Sequence, residues 1–269
     1  MLNLRQTAVA SIALGCALFG VGAAQARDLC PDRPGLGTPP CTVEPGKVVV
    51  EIGVADWTRD DDGTSQTDTV EAGEFLARIG LTDRLEAQLG WTAYGHERVR
   101  DRLTGAIDKQ AGTGDVTLAL RRNLRNPDGS GLSIALMPRL TLPTGGGAIG
   151  AGDWGAGLLI PVGVELKDGL SFKLTPEIDA AVDVDRSGRH LAYGGVLGLD
   201  VDLTPSITAT IEAAAMRDDD PDGHETQALG GLSIEWQPSD DSQFDLGVTI
   251  GLNHDAPDRQ LYLGFVRRF

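Results

Sequence analysis

From Lys47 to its last residue the chain repeats one pattern twelve times: an extended stretch in which apolar and polar residues alternate. A β-strand turns successive side chains to opposite faces, so a period of two writes one apolar and one polar face into each strand. The clearest case is Gly131–Leu142, where Leu132, Ile134, Leu136, Pro138, Leu140 and Leu142 stand against Ser133, Arg139 and Thr141. The other eleven expected strands are Lys47–Trp57, Val70–Gly80, Arg84–Tyr94, Gly114–Leu124, Trp154–Lys167, Leu170–Val182, His190–Leu203, Ile207–Met216, Thr226–Trp236, Gln243–Asn253 and Arg259–Phe269. Their lengths are roughly the 9–11 residues that a tilted strand needs to cross a bilayer.

The connections sort by length. Leu81–Asp83, Arg125–Ser130, Asp168-Gly169, Thr204–Ser206 and Gln237–Ser242 are brief turns, while Thr58–Thr69, Gly95–Thr113 and Pro143–Asp153 are longer polar loops. Short turns on one side, long loops on the other, an even strand number and both ends on the short side describe a transmembrane barrel. A secreted two-sheet sandwich would also alternate, since it buries one face of every strand. Nothing in a sandwich requires long and short connections to take turns. The expected fold over residues 47–269 is therefore all-β: a transmembrane antiparallel up-and-down β-barrel of about twelve strands.

Both ends of the chain fit that fold. Residues 1–26 read as a signal peptide, with Arg5 before an apolar run at Ala8–Ala23 and Ala24-Gln25-Ala26 as a small-x-small cleavage site. Cys16 does not make a lipobox, because Ala13 stands where Leu is wanted and the apolar run continues past it. At the other end, Leu261, Leu263, Phe265 and the terminal Phe269 share one face. A chain stopping on an aromatic residue inside an amphipathic strand looks like the closing strand read by the barrel-assembly machinery. Arg267 departs from the usual apolar residue at its position, but its long stem can snorkel to an interface.

Between leader and barrel, residues 27–46 form a Pro- and Gly-rich N-terminal periplasmic segment that could also sit in the periplasmic mouth. It holds Cys30 and Cys41, and outside the reducing cytosol a disulfide between them would staple an otherwise structureless loop. Two free thiols are the alternative; a metal site would want more ligands than two cysteines. The whole chain carries a formal net charge of −16. That acidity argues against nucleic acid, whose phosphates want Lys and Arg.

In such a barrel the apolar faces meet lipid and the polar faces line the interior. The lumen-lining candidates are Glu74, Arg78, Arg121, Arg139, Lys173, Glu177, Asp179, Asp200, Asp202 and Glu212. The same face carries Glu51, Glu86, Glu165, Glu235 and Asp245. Such mixed charges either line a thin aqueous path under a transverse field or pair across it and seal it.

The chain resembles the outer-membrane transporters linked to the meta-cleavage pathway of phenol degradation, over about Pro39 to Phe269. Gly80-Leu81-Thr82-Asp83-Arg84-Leu85-Glu86, Gly114-Asp115-Val116, Leu142-Pro143-Thr144-Gly145 and Ala256-Pro257-Asp258 carry the resemblance. It implies a barrel in the cell outer membrane that passes small hydrophobic or aromatic molecules. The expected partners are that solute, outer-membrane lipid and lipopolysaccharide, and the assembly machinery. A structural or adhesive barrel with a sealed lumen is the alternative.

Three other signals carry less. Gly145–Gly150 spells G-x-G-x-x-G, but a dinucleotide site needs a strand before it and a helix after it, and Asp153–Gly157 opens another strand. His96, His190, His224 and His254 fall at long-loop ends without a serine of matching parity, so no lipid-hydrolysing site is expected. Asp60–Asp62 and Asp218–Asp222 offer hard oxygen ligands of the kind that would suit cations bridging to lipopolysaccharide. Solvated acidic loops are the plainer account of them. No cofactor and no metal site are expected.

Overall fold

The computed structural model describes residues 27–269; the leader and Cys16 lie outside them. Fourteen strands follow one another: β1 (Val48–Asp61), β2 (Ser65–Thr82), β3 (Leu85–Asp101), β4 (Ile107–Gly112), β5 (Val116–Arg125), β6 (Leu132–Leu142) and β7 (Gly155–Leu159), then β8 (Val162–Lys167), β9 (Leu170–Val182), β10 (Arg189–Thr204), β11 (Ile207–Asp220), β12 (Gly223–Ser239), β13 (Ser242–Gly251) and β14 (Arg259–Arg268). Neighbours pair antiparallel around the whole sheet, and β14 returns to β1 to close it. β7 and β8 share one place between β6 and β9, and β4 extends the β3 hairpin, so the wall has 12 staves.

Two expectations change in detail. The strand expected over Trp154–Lys167 is broken at Ile160-Pro161, because proline has no N–H for the ladder. The carbonyl side of the ladder continues across the break, with Ala135 N–H donating to Pro161 O at 2.9 Å. The expected outer loops 58–69 and 95–113 are largely strand: Thr58 pairs Thr69, Asp60 pairs Thr67, and β3 runs on to Asp101 against β4. Thr and Val suit a pleated ladder even where both faces are wet. The β1–β2 hairpin therefore turns only at Asp62-Gly63-Thr64. There the Asp62 carboxylate accepts from Thr64 and Ser65, which holds it well below the usual carboxylate range.

The interior is inverted relative to a water-soluble domain. The largest fully buried side chains are Arg78, Arg121, Gln243, Glu51 and Glu86, while Leu118, Leu120, Leu197, Ile211, Leu232, Ile234, Leu246 and Leu263 are exposed on the outer face. Large apolar side chains arranged this way around a closed wall need an apolar solvent outside. Among the described residues no helix is long and apolar enough to cross a membrane, and the crossing falls to strands. Trp236, Phe244 and Phe265 stack at 5.6 and 5.1 Å beside the short-turn end, where aromatic girdles meet the interface.

The seam is fully paired. β1 and β14 pair from Val49↔Arg268 to Arg59↔Arg259 with one bulge between Gly53 and Ala55, and Phe269 exchanges both backbone hydrogen bonds with Val48, at 2.8 and 3.2 Å. Arg267 points outward and donates to the Ser242 hydroxyl, while Arg268 turns inward to Asp241 at 2.7 Å. Deleting Phe269 removes two hydrogen bonds and an apolar anchor from an otherwise open sheet edge. We expect the deletion to lower the amount of heat-modifiable barrel in the outer membrane; an unchanged yield would disprove the role of the seam.

Topology gives a second expectation. Single cysteines at Gly63, Gly105 and Gly223, on the tips of the long hairpins, should label on intact cells. Cysteines at Asp128 and Asp240, in the short turns, should label only after lysis. Reaction at Asp128 from outside would reverse the orientation.

Candidate functional site

The site is the lumen, and residues 27–46 occupy its lower half. The segment enters beside the Asp83 turn, where the Arg27 guanidinium reaches Asp83 at 3.4 Å. It crosses to β9 and β11, returns past β5, and joins β1 through Pro45, which bridges to Gly80. Only glycine fits at position 80: a Cβ there would run into the Glu44 and Val43 carbonyls. Cys30 and Cys41, joined as a disulfide with Cα atoms 6.5 Å apart, close the crossing part into a loop. The N-terminal segment, read as periplasmic or as seated in the periplasmic mouth, lies inside the barrel, where its backbone N–H groups find carboxylates.

Those carboxylates form the floor of the lumen. Glu51 on β1 accepts from the Asp32 and Arg33 N–H groups at 2.9 and 2.8 Å. Glu86 on β3 accepts from Val43 N–H at 2.7 Å, and Glu212 on β11 accepts from Leu36 and Gly37 at 2.7 and 2.9 Å. Two arginines with no solvent exposure knit this layer. Arg78 on β2 binds Glu86 through Nε (3.0 Å) and Nη2 (3.1 Å), and Glu51 and Asp32 through Nη1, both at 3.1 Å. Arg121 on β5 donates to both Asp32 oxygens (2.6 and 2.7 Å) and to Cys41 O (3.1 Å). Two guanidinium groups thus face three carboxylates, and the segment's backbone N–H groups supply the remaining donors.

The other expected lumen residues fall into separate groups. Glu74 is half-exposed and pairs with Arg33 of the segment at 3.0 Å, while Arg33 also reaches buried Asp245 at 3.1 Å and lies over the Tyr262 ring. Arg139 on β6 pairs with Asp179 at 2.9 Å and Glu177 at 3.6 Å, both on β9 across the intervening stave. Lys173 pairs with Asp200 at 2.8 Å. Asp202 sits apart, exposed at the short-turn rim, where it accepts from the Thr208 hydroxyl. Of the two expected arrangements, a transverse field or ion pairing, these side chains adopt the second, as local pairs.

Sequence reasoning missed Asp32 and Arg33, the two residues that connect the segment to both sides of the barrel. Their stretch has no periodicity to show which way they point. Gln243 was also missed; it donates to Arg33 O at 3.0 Å. Its position on the inward face of β13 was readable, but an uncharged side chain gave no reason to single it out.

A closed wall with an apolar exterior, a charged interior and a segment folded across the lumen defines the class: an outer-membrane β-barrel with an internal plug. The family model described as "Putative MetA-pathway of phenol degradation" matches residues 31–269, and the chain belongs to that family. Among solved structures, the COG4313 outer membrane channel from Pseudomonas putida F1 is similar, with a TM-score of 0.69 and 17% identity over 88% of this chain and 100% of that one. The KdgM porin gives 0.52 and 10% over 82% and 99%. The translocator domain of the autotransporter NalP from Neisseria meningitidis gives 0.51 and 13% over 83% and 88%. At these identities the likeness is one of fold. A search of curated proteins returned no match.

Arg78 and Arg139 separate structural from peripheral charge. Removing one partner of a buried ion-pair network costs roughly 3–5 kcal/mol, against about 0–1 kcal/mol for an exposed pair. Arg78→Ala should lower the denaturant midpoint of the folded barrel markedly and expose residues 27–46 to protease. Arg139→Ala breaks a pair that is partly exposed (34% and 10%) and does not touch the segment, so it should lower the midpoint less and leave residues 27–46 covered. Equal, small shifts in urea titrations followed by heat-modified gel mobility would contradict this layering.

Proposed function

We propose that this chain is an outer-membrane channel for small hydrophobic or aromatic solutes, with residues 27–46 as the plug that controls its lumen. The observation that carries the reading is a cavity of about 470 Å³ on the outer side of the segment. That volume suits a small molecule, for which sites run from ~300 to ~1,000 Å³. Leu76, Ala119, Met137, Leu159 and Tyr262 supply its apolar wall, and Arg33, Gln88 and Arg139 its polar groups. A mixed lining of this kind takes up an aromatic ring and orients a hydroxyl on it.

Family membership supports the solute class, and the similar COG4313 and KdgM structures bear the descriptions channel and porin. The reading assigns no enzymatic chemistry: His190 and His224 stand beside aspartates. Lipid and lipopolysaccharide around the apolar band, and an assembly machinery that reads the last strand, are its other partners.

One observation favours a second reading, a structural barrel with a sealed lumen: every guanidinium in the floor is already paired across or along the wall. The two readings part in planar bilayers and in solute uptake. The full chain should show small conductance steps, and deletion of residues 31–43 should enlarge them by removing Asp32, Arg33 and the disulfide loop. Arg121→Ala should move part of the way, since it frees Asp32 and the Cys41 carbonyl. Cells carrying the full chain should take up phenol-sized aromatics faster than cells without it. Silence in bilayers together with unchanged uptake, for a barrel that is folded by gel mobility, would establish the sealed reading.

A further inference from the structure

At the outer end of β9–β11 lies a cluster that transport does not use. His190 sits at the start of β10, Asp183 directly follows β9, and Asp218 and Asp220 end β11. The imidazole is only 5% exposed, with Nδ1 at 2.9 Å from Asp183 Oδ1 and 3.3 Å from Asp220 Oδ2. Its Nε2 lies 2.6 Å from Asp218 Oδ1, yet it is buried without a properly aligned hydrogen-bond partner. Three carboxylates around one ring leave surplus negative charge even when the ring carries a proton, and carboxylates this close repel one another.

We propose that Asp183, Asp220 and His190 Nδ1 bind a divalent transition-metal ion of the zinc or manganese class, with Asp218 orienting the ring through Nε2. One ligand atom from each of Asp183, His190 and Asp220 falls within 4.8 Å of the others. Around a tetrahedral ion with bonds of ~2.0–2.1 Å, ligand atoms stand about 3.3 Å apart, close to the two separations measured from Nδ1. A metal-bound histidine commonly gives its other ring N–H to a carboxylate, which fixes tautomer and orientation; Asp218 Oδ1, 2.6 Å from Nε2, is in reach for that and needs only a small turn of the ring to align the bond. One imidazole with two carboxylates suits zinc or manganese, whereas calcium and magnesium favour all-oxygen shells.

The ion would tie β10, β11 and the β9–β10 loop together. Asp220 Oδ2 also accepts from Val184 N–H at 2.8 Å, and Arg186 of the same loop donates to Gly147 O at 3.2 Å. Binding would therefore fix the β9–β10 loop against the outer end of β11 and the 143–153 loop, and so set the shape of the outer mouth.

The test uses the full untagged barrel, stripped by chelator and titrated by calorimetry with Zn²⁺ and separately with Mn²⁺, with Co²⁺ as an optical probe. We expect a single saturable site per chain and a Co²⁺ absorption band, both lost in His190→Ala and in Asp183→Asn with Asp220→Asn. Asp218→Asn should weaken binding by about 10–100-fold. In the parent protein the ion should also slow tryptic cleavage after Arg186, and Asp220→Asn should abolish that protection; this readout stands even where His190→Ala misfolds. Unchanged affinity in the folded His190→Ala barrel would overturn the proposal. So would loss of the site on changing Asp60 and Asp62 instead, or no saturable binding of either ion.

Discussion

The rest of the structure depends on five charged side chains that share a nearly dry volume at the floor of the lumen. Arg78 and Arg121 are fully buried, as are Glu51 and Glu86, and Asp32 joins them from the N-terminal segment. Removing such groups from water is favourable only when each is paired and its remaining donors and acceptors are met. No pair of neighbouring strands can meet those terms here. Arg78 needs the Cys30 carbonyl (2.7 Å) and Asp32, Arg121 needs Asp32 and the Cys41 carbonyl, and Glu51 needs two N–H groups of the segment. Barrel and plug are therefore one electrostatic unit, and neither has a satisfied interior without the other.

That inward demand is the counterpart of the outward one. A closed cylinder satisfies every backbone group in the membrane, which is why the β1–β14 seam matters as much as any side chain. The cylinder is wide enough to need filling, and twelve staves leave more room than side chains alone occupy. An apolar filler would have had to meet a wall of carboxylates and guanidiniums. A Pro- and Gly-rich segment instead brings exposed N–H and C=O groups, which charged walls can bind. The Gly35-Leu36-Gly37 stretch shows the fit: the Glu212 carboxylate lies where a Cβ at 35 would stand and crowds one at 37, and it collects the N–H groups of Leu36 and Gly37.

Most of the wall was legible because side-chain direction in a strand is binary. Lipid outside and charge inside wrote the same alternation twelve times, so the faces of Arg78, Arg139, Lys173 and Glu212 could be read residue by residue. Two local events escaped that reading. The register of β1 against β14 shifts between Gly53 and Ala55; this bulge turns Asp56 inward, where strict alternation would set it against lipid. Pro161 divides a strand that hydropathy alone reads as continuous. The plug was illegible for a different reason: its order comes from long-range bonds to polar side chains of eight strands, and an aperiodic segment carries no trace of its partners. The same holds for His190, whose aspartate neighbours come from the end of β9 and the end of β11 and meet it only when these strands pair with β10.

The charges that remain unspent decide what the cavity above the plug presents to a solute. Arg78 and Arg121 are consumed below it, so they lend it little field. Asp56 stands opposite Glu71 in the β1–β2 ladder, and like charges in that position repel. Gln260 relieves Asp56 by donating to it at 2.6 Å, and Arg33 is shared between Glu74 and Asp245. The side of the cavity bounded by β1 and β2 is thus acidic, while Arg139 on the far side is offset by Glu177 and Asp179. An anion entering from outside meets few free donors, and a neutral ring meets Leu76, Met137 and Tyr262. On electrostatic grounds alone, the open half of this lumen favours neutral or cationic solutes over anions.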